Sequence, residues 1–396
     1  MRNILKTIVI SWLFLSCAES DFFTPTIEES CKSITINTNN DSLYFNCITD
    51  ISLVPLEINE KSYYFTNPVM VNPNDSTIVL IDKRNGMVAG YVNYKNTFGR
   101  RFIGRGHGEF IEFGNAFTYN NLIGIYDCAT AKCLFYDLNG IYVNQIVLED
   151  RFCDEFYQIN DKISVGFNIN GGWGKGGHFY NIYNNENGKI TQSDIYLSDI
   201  HSKLVTNNFP ISYHNNAISF YVSYGYVIYG VNQETNNVYQ QYYLDLDDKL
   251  NKTIIKNDLK DTYLLGKVIE LGISGEITGF YETNRYYSFT TTYQRSIYKV
   301  LLDKNNEEGY AYNIYHGKDN DTSFLNQLFK VLIPIGSFDN DIYMYCDLNS
   351  FNKIKNNCKN SSDKKMNDII NQVNTYIHEY SLDEDTKLFF RILLNE

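Results

Sequence analysis

"FGRRFIGRGHGEF", Phe98 to Phe110, sets Gly104, Gly106 and Gly108 among Arg100, Arg101, Arg105 and His107. A dinucleotide-binding turn needs G-x-G-x-x-G opening a helix inside a β-α-β unit. Here the spacing is G-x-G-x-G, and "EFIEFGN" follows instead of a helix. A phosphate-cradling P-loop closes on Gly-Lys-Ser/Thr, which is missing. The stretch therefore reads as a structural turn between two strand-rich units. Glycines let the backbone take unusual φ angles and approach neighbouring strands closely. Glu109 stands ready to accept hydrogen bonds from that turn or to pair with Arg105. The competing functional reading presents Arg101, Arg105 and His107 as an anion or carboxylate grip, because guanidinium groups bind carboxylates bidentately.

Working outward, strand-rich runs recur on both sides of this turn. They begin near Thr77, Leu122, Lys162, Ala217, Arg285 and Asp341. Turn signals divide them: Arg84-Asn85-Gly86, Asn139-Gly140 and Asn187-Gly188. Such dipeptides supply the positive φ that tight hairpins require. Six units at roughly 40 to 70 residues, each with about four strands, match the propeller signature among repeat folds. A four-stranded blade buries both faces only by stacking radially on its neighbours. The expected fold is all-β, a six-bladed propeller over residues 50–396. A short helix over Ser361–Tyr380 ("SSDKKMNDIINQVNTYIHEY") and a closing strand over Thr386–Leu394 ("TKLFFRILL") complete it.

Composition agrees. The 396 residues include 34 Tyr and 25 Phe, types that favour pleated, half-buried surfaces. The net charge of −12 argues against nonspecific nucleic-acid binding, which needs a basic face. The amino terminus, "MRNILKTIVISWLFLSCAESD", has Arg2 and Lys6 before an apolar run, the pattern of an export signal. The run is too short to span a bilayer, which takes about 20 residues. "FLSC" resembles a bacterial lipobox, so residues 1–16 are expected to be a lipoprotein signal peptide and Cys17 the lipidated residue; an ordinary cleaved signal with an incidental cysteine is the alternative. Residues 17–49 then form a tether and leading strand. Eight cysteines are present. Cys128 and Cys133 flank "ATAK" and are a candidate disulfide across a hairpin; Cys346 and Cys358 sit in another apparent hairpin, and buried free thiols are the alternative.

A second glycine-rich run, "NINGGWGKGGHFY" from Asn168 to Tyr180, carries Trp173 and His178. An aromatic ring on a loop offers a stacking surface for a sugar. No nucleophile elbow or H-E-x-x-H motif occurs, and the six histidines are scattered singly. No cofactor or metal is expected, and no catalytic residues are assigned.

"FIGRGHGEF" followed by Ile125-Tyr126-Asp127 and Phe135-Tyr136-Asp137-Leu138-Asn139-Gly140 resembles the six-bladed β-propeller lipoproteins of Bacteroidetes, relatives in shape of TolB-like and NHL-type propellers. The lipoprotein-like start and "DEDTKLFFRILL" extend the resemblance along nearly the whole chain. His107 departs from the family pattern, where small residues or Pro are common. The resemblance implies a propeller fold and an exported, outer-membrane-anchored location, and little about activity. The expected role is a noncatalytic, monomeric binding or interaction module for a glycan, a peptide or an envelope protein. Arg101, Arg105, His107, Trp173 and His178 are its candidate binding residues. The alternative is a polysaccharide lyase or hydrolase acting at the propeller axis, with clustered charged side chains there as its signature.

Overall fold

The structure is a computed structural model that describes residues 25–58, 65–148, 153–168, 177–197, 204, 210–246, 249–250, 268, 270–293, 295–314, 323–358 and 364–396. Its strands form six antiparallel four-stranded blades. Blade 1 holds β3 (Pro68–Asn74), β4 (Thr77–Asp82), β5 (Met87–Val92) and β6 (Lys95–Arg101), from the axis outward. Blade 2 holds β7 (Phe113–Tyr119), β8 (Leu122–Asp127), β9 (Lys132–Tyr136) and β10 (Tyr142–Val147). Blade 3 holds β11 (Glu155–Gln158), β12 (Ile163–Phe167), β13 (Gly177–Asn184) and β14 (Ile190–Leu197). Blade 4 holds β15 (Ile211–His214), β16 (Ala217–Tyr221), β17 (Val227–Val231) and β18 (Val238–Asp245). Blade 5 holds β19 (Ile277–Glu282), β20 (Tyr286–Tyr293), β21 (Ser296–Asp303) and β22 (Glu308–Asn313). Blade 6 holds β23 (Ile333–Phe338), β24 (Asp341–Asp347), β25 (Lys387–Leu394) and, from the other end of the chain, β2 (Ile48–Leu53).

The residue pattern explains this order. Middle strands are covered on both faces by adjacent blades, so they read as continuous apolar runs. "TIVLID" of β4 and "VIYGV" of β17 are buried at every position. Outer strands have one wet face; "YVNQIV" of β10 is mostly exposed or half-buried. The core lies between blades. Phe117, Tyr126, Phe156, Val165 and Phe220 from three successive blades share one cluster.

The turns are chemically specified. Asn120-Asn121 and Asn215-Asn216 have φ of 49° and 60° in both pairs, which asparagine tolerates in two-residue hairpins. The expected turn glycines also lie at positive φ: Gly86 at 68°, Gly140 at 73° and Gly188 at 67°. Between second and third strands an aspartate ties the turn to the start of its own blade. Asp82 accepts from the amides of Thr66, Asn67, Arg84 and Asn85. Asp127 accepts from those of Ile111, Glu112 and Ala129, and from the Thr130 hydroxyl at 2.6 Å.

The amino-terminal segment belongs to the ring. β1 (Lys32–Asn37) lies parallel to β18 through Lys32–Thr35 and to β22 through Ile36–Asn37, joining blades 4 and 5 into one nine-stranded sheet. β2 pairs with β25 and closes blade 6. The boundary drawn between residues 49 and 50 therefore falls inside β2, and the leading strands are part of the propeller. Helices that accompany the ring include α1 (Asp41–Asn46), α2 (Phe324–Val331), α3 (Leu348–Asn357) and α4 (Lys364–Tyr380). The carboxy-terminal helix is α4; α1, α2 and α3 are additions to the expectation. α3 and α4 are inserted between β24 and β25. α4 buries Met366, Ile369, Val373 and Tyr376, and its Gln372 accepts from the Leu53 amide of β2 at 2.8 Å.

Candidate functional site: the axial cavity

The six innermost strands, β3, β7, β11, β15, β19 and β23, surround a cavity of about 480 Å³ on the axis. The inner strands around it pack closely on one another. At Gly336 of β23, an added Cβ would meet the Met70 carbonyl oxygen of β3 at 2.7 Å, so glycine permits the close approach of two inner strands.

Two tyrosines form one wall. Tyr157 of β11 and Tyr213 of β15 stack with centroids 5.6 Å apart and planes 13° from parallel. Phe117 of β7 packs against both, at 5.7 Å and 5.5 Å. The Tyr213 hydroxyl donates to Asn216 Oδ1 at 2.9 Å. His214 Nε2 lies 2.9 Å from Asn284 Oδ1. Asparagines at the first hairpins of blades 2 and 4 carry amide groups to the cavity edge.

Charge is concentrated at Glu155 and Lys83. The Glu155 side chain is buried and accepts from the Tyr157 hydroxyl at 2.7 Å. Burial pushes its carboxyl up to about 7, against the opposing pull of the Tyr157 hydrogen bond and the Lys83 charge. Burial also pushes the Lys83 amine below its ordinary value, and the Glu155 charge opposes that. Glu155 is the one carboxylate among the described residues lining the cavity, beside one lysine and one histidine.

The opening stretch has a different place. Phe98–Arg101 finish β6, and the rest leads from blade 1 to blade 2. Phe102 and Phe110 are buried, and their backbones bond to each other at 3.0 Å. Glu109 Oε2 accepts from the Gly106 amide at 2.7 Å. Of the two roles open to Glu109, the turn cap is the one formed. An added Cβ at Gly104 would lie 2.0 Å from that same oxygen. Gly108, at φ 69°, accepts the Tyr136 hydroxyl on its carbonyl at 3.0 Å. Arg101, Arg105 and His107 are exposed on this connection, with the His107 ring 4.5 Å from that of Tyr142. None of them lines the axial cavity.

His178 lies on β13, its ring 5.9 Å from Tyr196, away from the cavity. Trp173, Cys17 and the signal segment fall outside the described residues. Cys128 and Cys133 are free thiols, which corrects the disulfide expectation. The β8–β9 register puts Cys133 opposite Tyr126 in the core, while Cys128 Sγ turns to the Glu112 carbonyl. Cys346 and Cys358 are free as well; the first is on β24 and the second caps α3, so they do not share a hairpin. Among the described residues no cluster of three or more His, Cys, Asp or Glu is placed to hold a metal, and no helix is long and apolar enough to cross a membrane.

Sequence reasoning missed Glu155, Tyr157, Tyr213 and Lys83. A partial signal was present: two of the inner strands end in an aromatic followed by paired Asn or Asp, as in Tyr119-Asn120-Asn121 and Phe338-Asp339-Asn340. That pattern marks the axial strand in those two units.

A family model described as a 6-bladed beta-propeller, DUF5128, matches residues 26–331. The chain belongs to this family. As a DUF5128 propeller it is similar in structure to a presumed exported protein of Bacteroides fragilis, with a TM-score of 0.70 and 15% identity over 92% of this chain and 99% of that one. It also matches a member of the DUF4221 family from Bacteroides vulgatus, with a TM-score of 0.48 and 9% identity over 87% and 96% of the two chains. Virginiamycin B lyase of Staphylococcus aureus matches with a TM-score of 0.40 and 10% identity over 87% and 100%. The likeness to the Bacteroides fragilis protein shows the fold this DUF5128 member shares; the two weaker ones carry no argument about activity. No curated protein matches the sequence.

Proposed function

We propose that this chain is an exported, lipid-anchored, monomeric propeller that binds a small polar ligand in its axial cavity without transforming it. The observation that carries the reading is the cavity wall itself: stacked Tyr157 and Tyr213 beside asparagine amides and a single buried carboxylate. Cavities of about 300 to 1,000 Å³ with aromatic walls and a few fixed polar groups are the usual form of ligand sites. Two-carboxylate glycoside hydrolysis needs a second acid about 5 to 9.5 Å from the first, and Glu155 has no such companion among the described lining residues. The seat of binding moves accordingly from Arg101, Arg105, His107 and His178 to the inner strands.

A thermal-shift screen of residues 18–396 against glycans, peptides, nucleotides and divalent cations tests this. A ligand at 100 times its Kd stabilises the fold by about 2.7 kcal/mol. A shift with one polar class, lost in Tyr213→Ala, supports the reading; a flat panel from folded protein contradicts it.

One observation favours a second reading. A buried carboxyl titrating near neutrality in a cavity is a candidate acid–base group, and a Tyr and a Lys stand beside it. Turnover of the bound ligand, abolished by Glu155→Gln, would decide for the enzyme. The anchor is tested separately. Cys17→Ala is expected to abolish incorporation of labelled fatty acid and to release the protein from the membrane fraction; continued incorporation would remove the anchor from the account.

A further inference from the structure

A second cavity of about 320 Å³ lies between blades 2 and 3. Tyr119 and Asn120, at the β7–β8 hairpin, line both. The two spaces are therefore neighbours, with this residue pair between them. The outer compartment is a groove bordered by Phe135, Asn144 and Ile146 of blade 2 and by Gln158, Asp161 and Glu186 of blade 3. The Tyr119 hydroxyl donates to Asp161 Oδ1 at 2.9 Å, which fixes the ring at the junction.

We infer that the site takes a linear, neutral oligosaccharide, one end seated in the axial cavity and the chain running out over Tyr119 into the groove between blades 2 and 3. The inference rests on the binding reading above and names its ligand class. The shape calls for a chain, because a compact ligand would fill one compartment and leave the other unused. The charges call for a neutral chain. Asp161 and Glu186 border the outer compartment, and no Lys, Arg or His does among its described lining residues, so uronate or sulfated polymers would meet like charge with no cation to offset it. The remaining groups suit a sugar. Side-chain amides donate and accept at once, as sugar hydroxyls do, and tyrosine rings give flat faces against which a pyranose packs.

The test is calorimetric titration of residues 18–396 with neutral oligosaccharides of one to six units, in β-1,4-gluco, β-1,4-manno, α-1,4-gluco and N-acetylglucosamine series. Affinity in one series is expected to rise about tenfold or more between two and five units. Asn144→Trp, an exposed change on an outer strand, is expected to fill the groove and reduce the long oligomers to the affinity of the short ones. Tyr213→Ala is expected to weaken every length, and melting curves verify that both variants are folded. Affinity that reaches its full value with one or two units overturns the extended site and leaves the axial reading standing. Length-dependent binding of peptides, sensitive to Asn144→Trp and absent for all sugars, overturns the ligand class. Binding of no sugar and no peptide overturns both the inference and the reading beneath it.

Discussion

The Tyr157 ring lies flat against that of Tyr213, 5.6 Å between centroids, although the two belong to different blades. Each is also engaged through its hydroxyl, Tyr157 with Glu155 and Tyr213 with Asn216. Tyr157→Phe should keep the stack and remove the hydroxyl that stabilises the Glu155 carboxylate, so the Glu155 pKa should rise beyond about 7. Carbonyl-labelled NMR titration of Glu155 reads this directly. An unchanged midpoint would separate Tyr157 from the charge.

The same carboxyl predicts a pH dependence of stability. Its folded pKa is raised from 4.5 to about 7, so the fold prefers it protonated. That contribution is fully present below the ordinary value and is lost as pH rises through about 7. Glu155→Gln should therefore flatten the melting temperature between pH 5 and about 8 and raise it at the upper end of that window. Melting curves of the two proteins in matched buffers check it; parallel profiles would contradict it.

Lys299 runs the opposite way. It is buried on β21, its Nζ donates to the Leu332 carbonyl at 2.6 Å, and burial pushes its amine down to about 7. The unfolded chain binds that proton more tightly, so stability should rise with pH from about 7 toward the ordinary value of 10.5. Lys299→Met should remove the slope and stabilise the fold at pH 7 by on the order of 2 to 4 kcal/mol, measured by chemical denaturation.

Asp82 and Asp127 are expected to matter for stability and not for binding. Asp82→Ala strips partners from the amides of Thr66, Asn67, Arg84 and Asn85 and should cost about 2 to 4 kcal/mol. Gly104→Ala should cost about 1 to 2 kcal/mol by expelling the Glu109 carboxylate from its turn. Arg105→Ala, at an exposed position with no cavity role, should stay within about 0.5 kcal/mol of the parent. Denaturant midpoints rank the three, and a costly Arg105→Ala would show that this exposed side chain helps to hold the connection.

These contrasts show where the sequence was readable. Hairpins such as Asn139-Gly140 and Asn187-Gly188 announce themselves locally, because turn geometry selects the residue types. Six such units then imply a ring. The blade-linking role of Gly104, Gly106 and Gly108 was readable for the same reason. A leading strand was expected within residues 17–49, but the place of β1 was not, since a strand added in parallel between the outer edges of two blades carries no local mark of its partners. The site was hidden by distance along the chain. Met70, Tyr157, Tyr213 and Gly336 meet only after the ring closes, and nothing in their neighbouring residues says which of them will share a wall. The exposed charges of "RRFIGRGHGEF" drew attention because they are contiguous, whereas the cavity is built from a few residues of each blade.

Binding is expected at the axis and not at the glycine-rich connection. The measurement that tests it most directly is a thermal-shift comparison of the parent, Tyr213→Ala and an Arg101→Ala/Arg105→Ala/His107→Ala triple variant against the same neutral glycan panel. A shift is expected in the parent and in the triple variant and is expected to be lost in Tyr213→Ala. A shift that survives in Tyr213→Ala and disappears from the triple variant would contradict it.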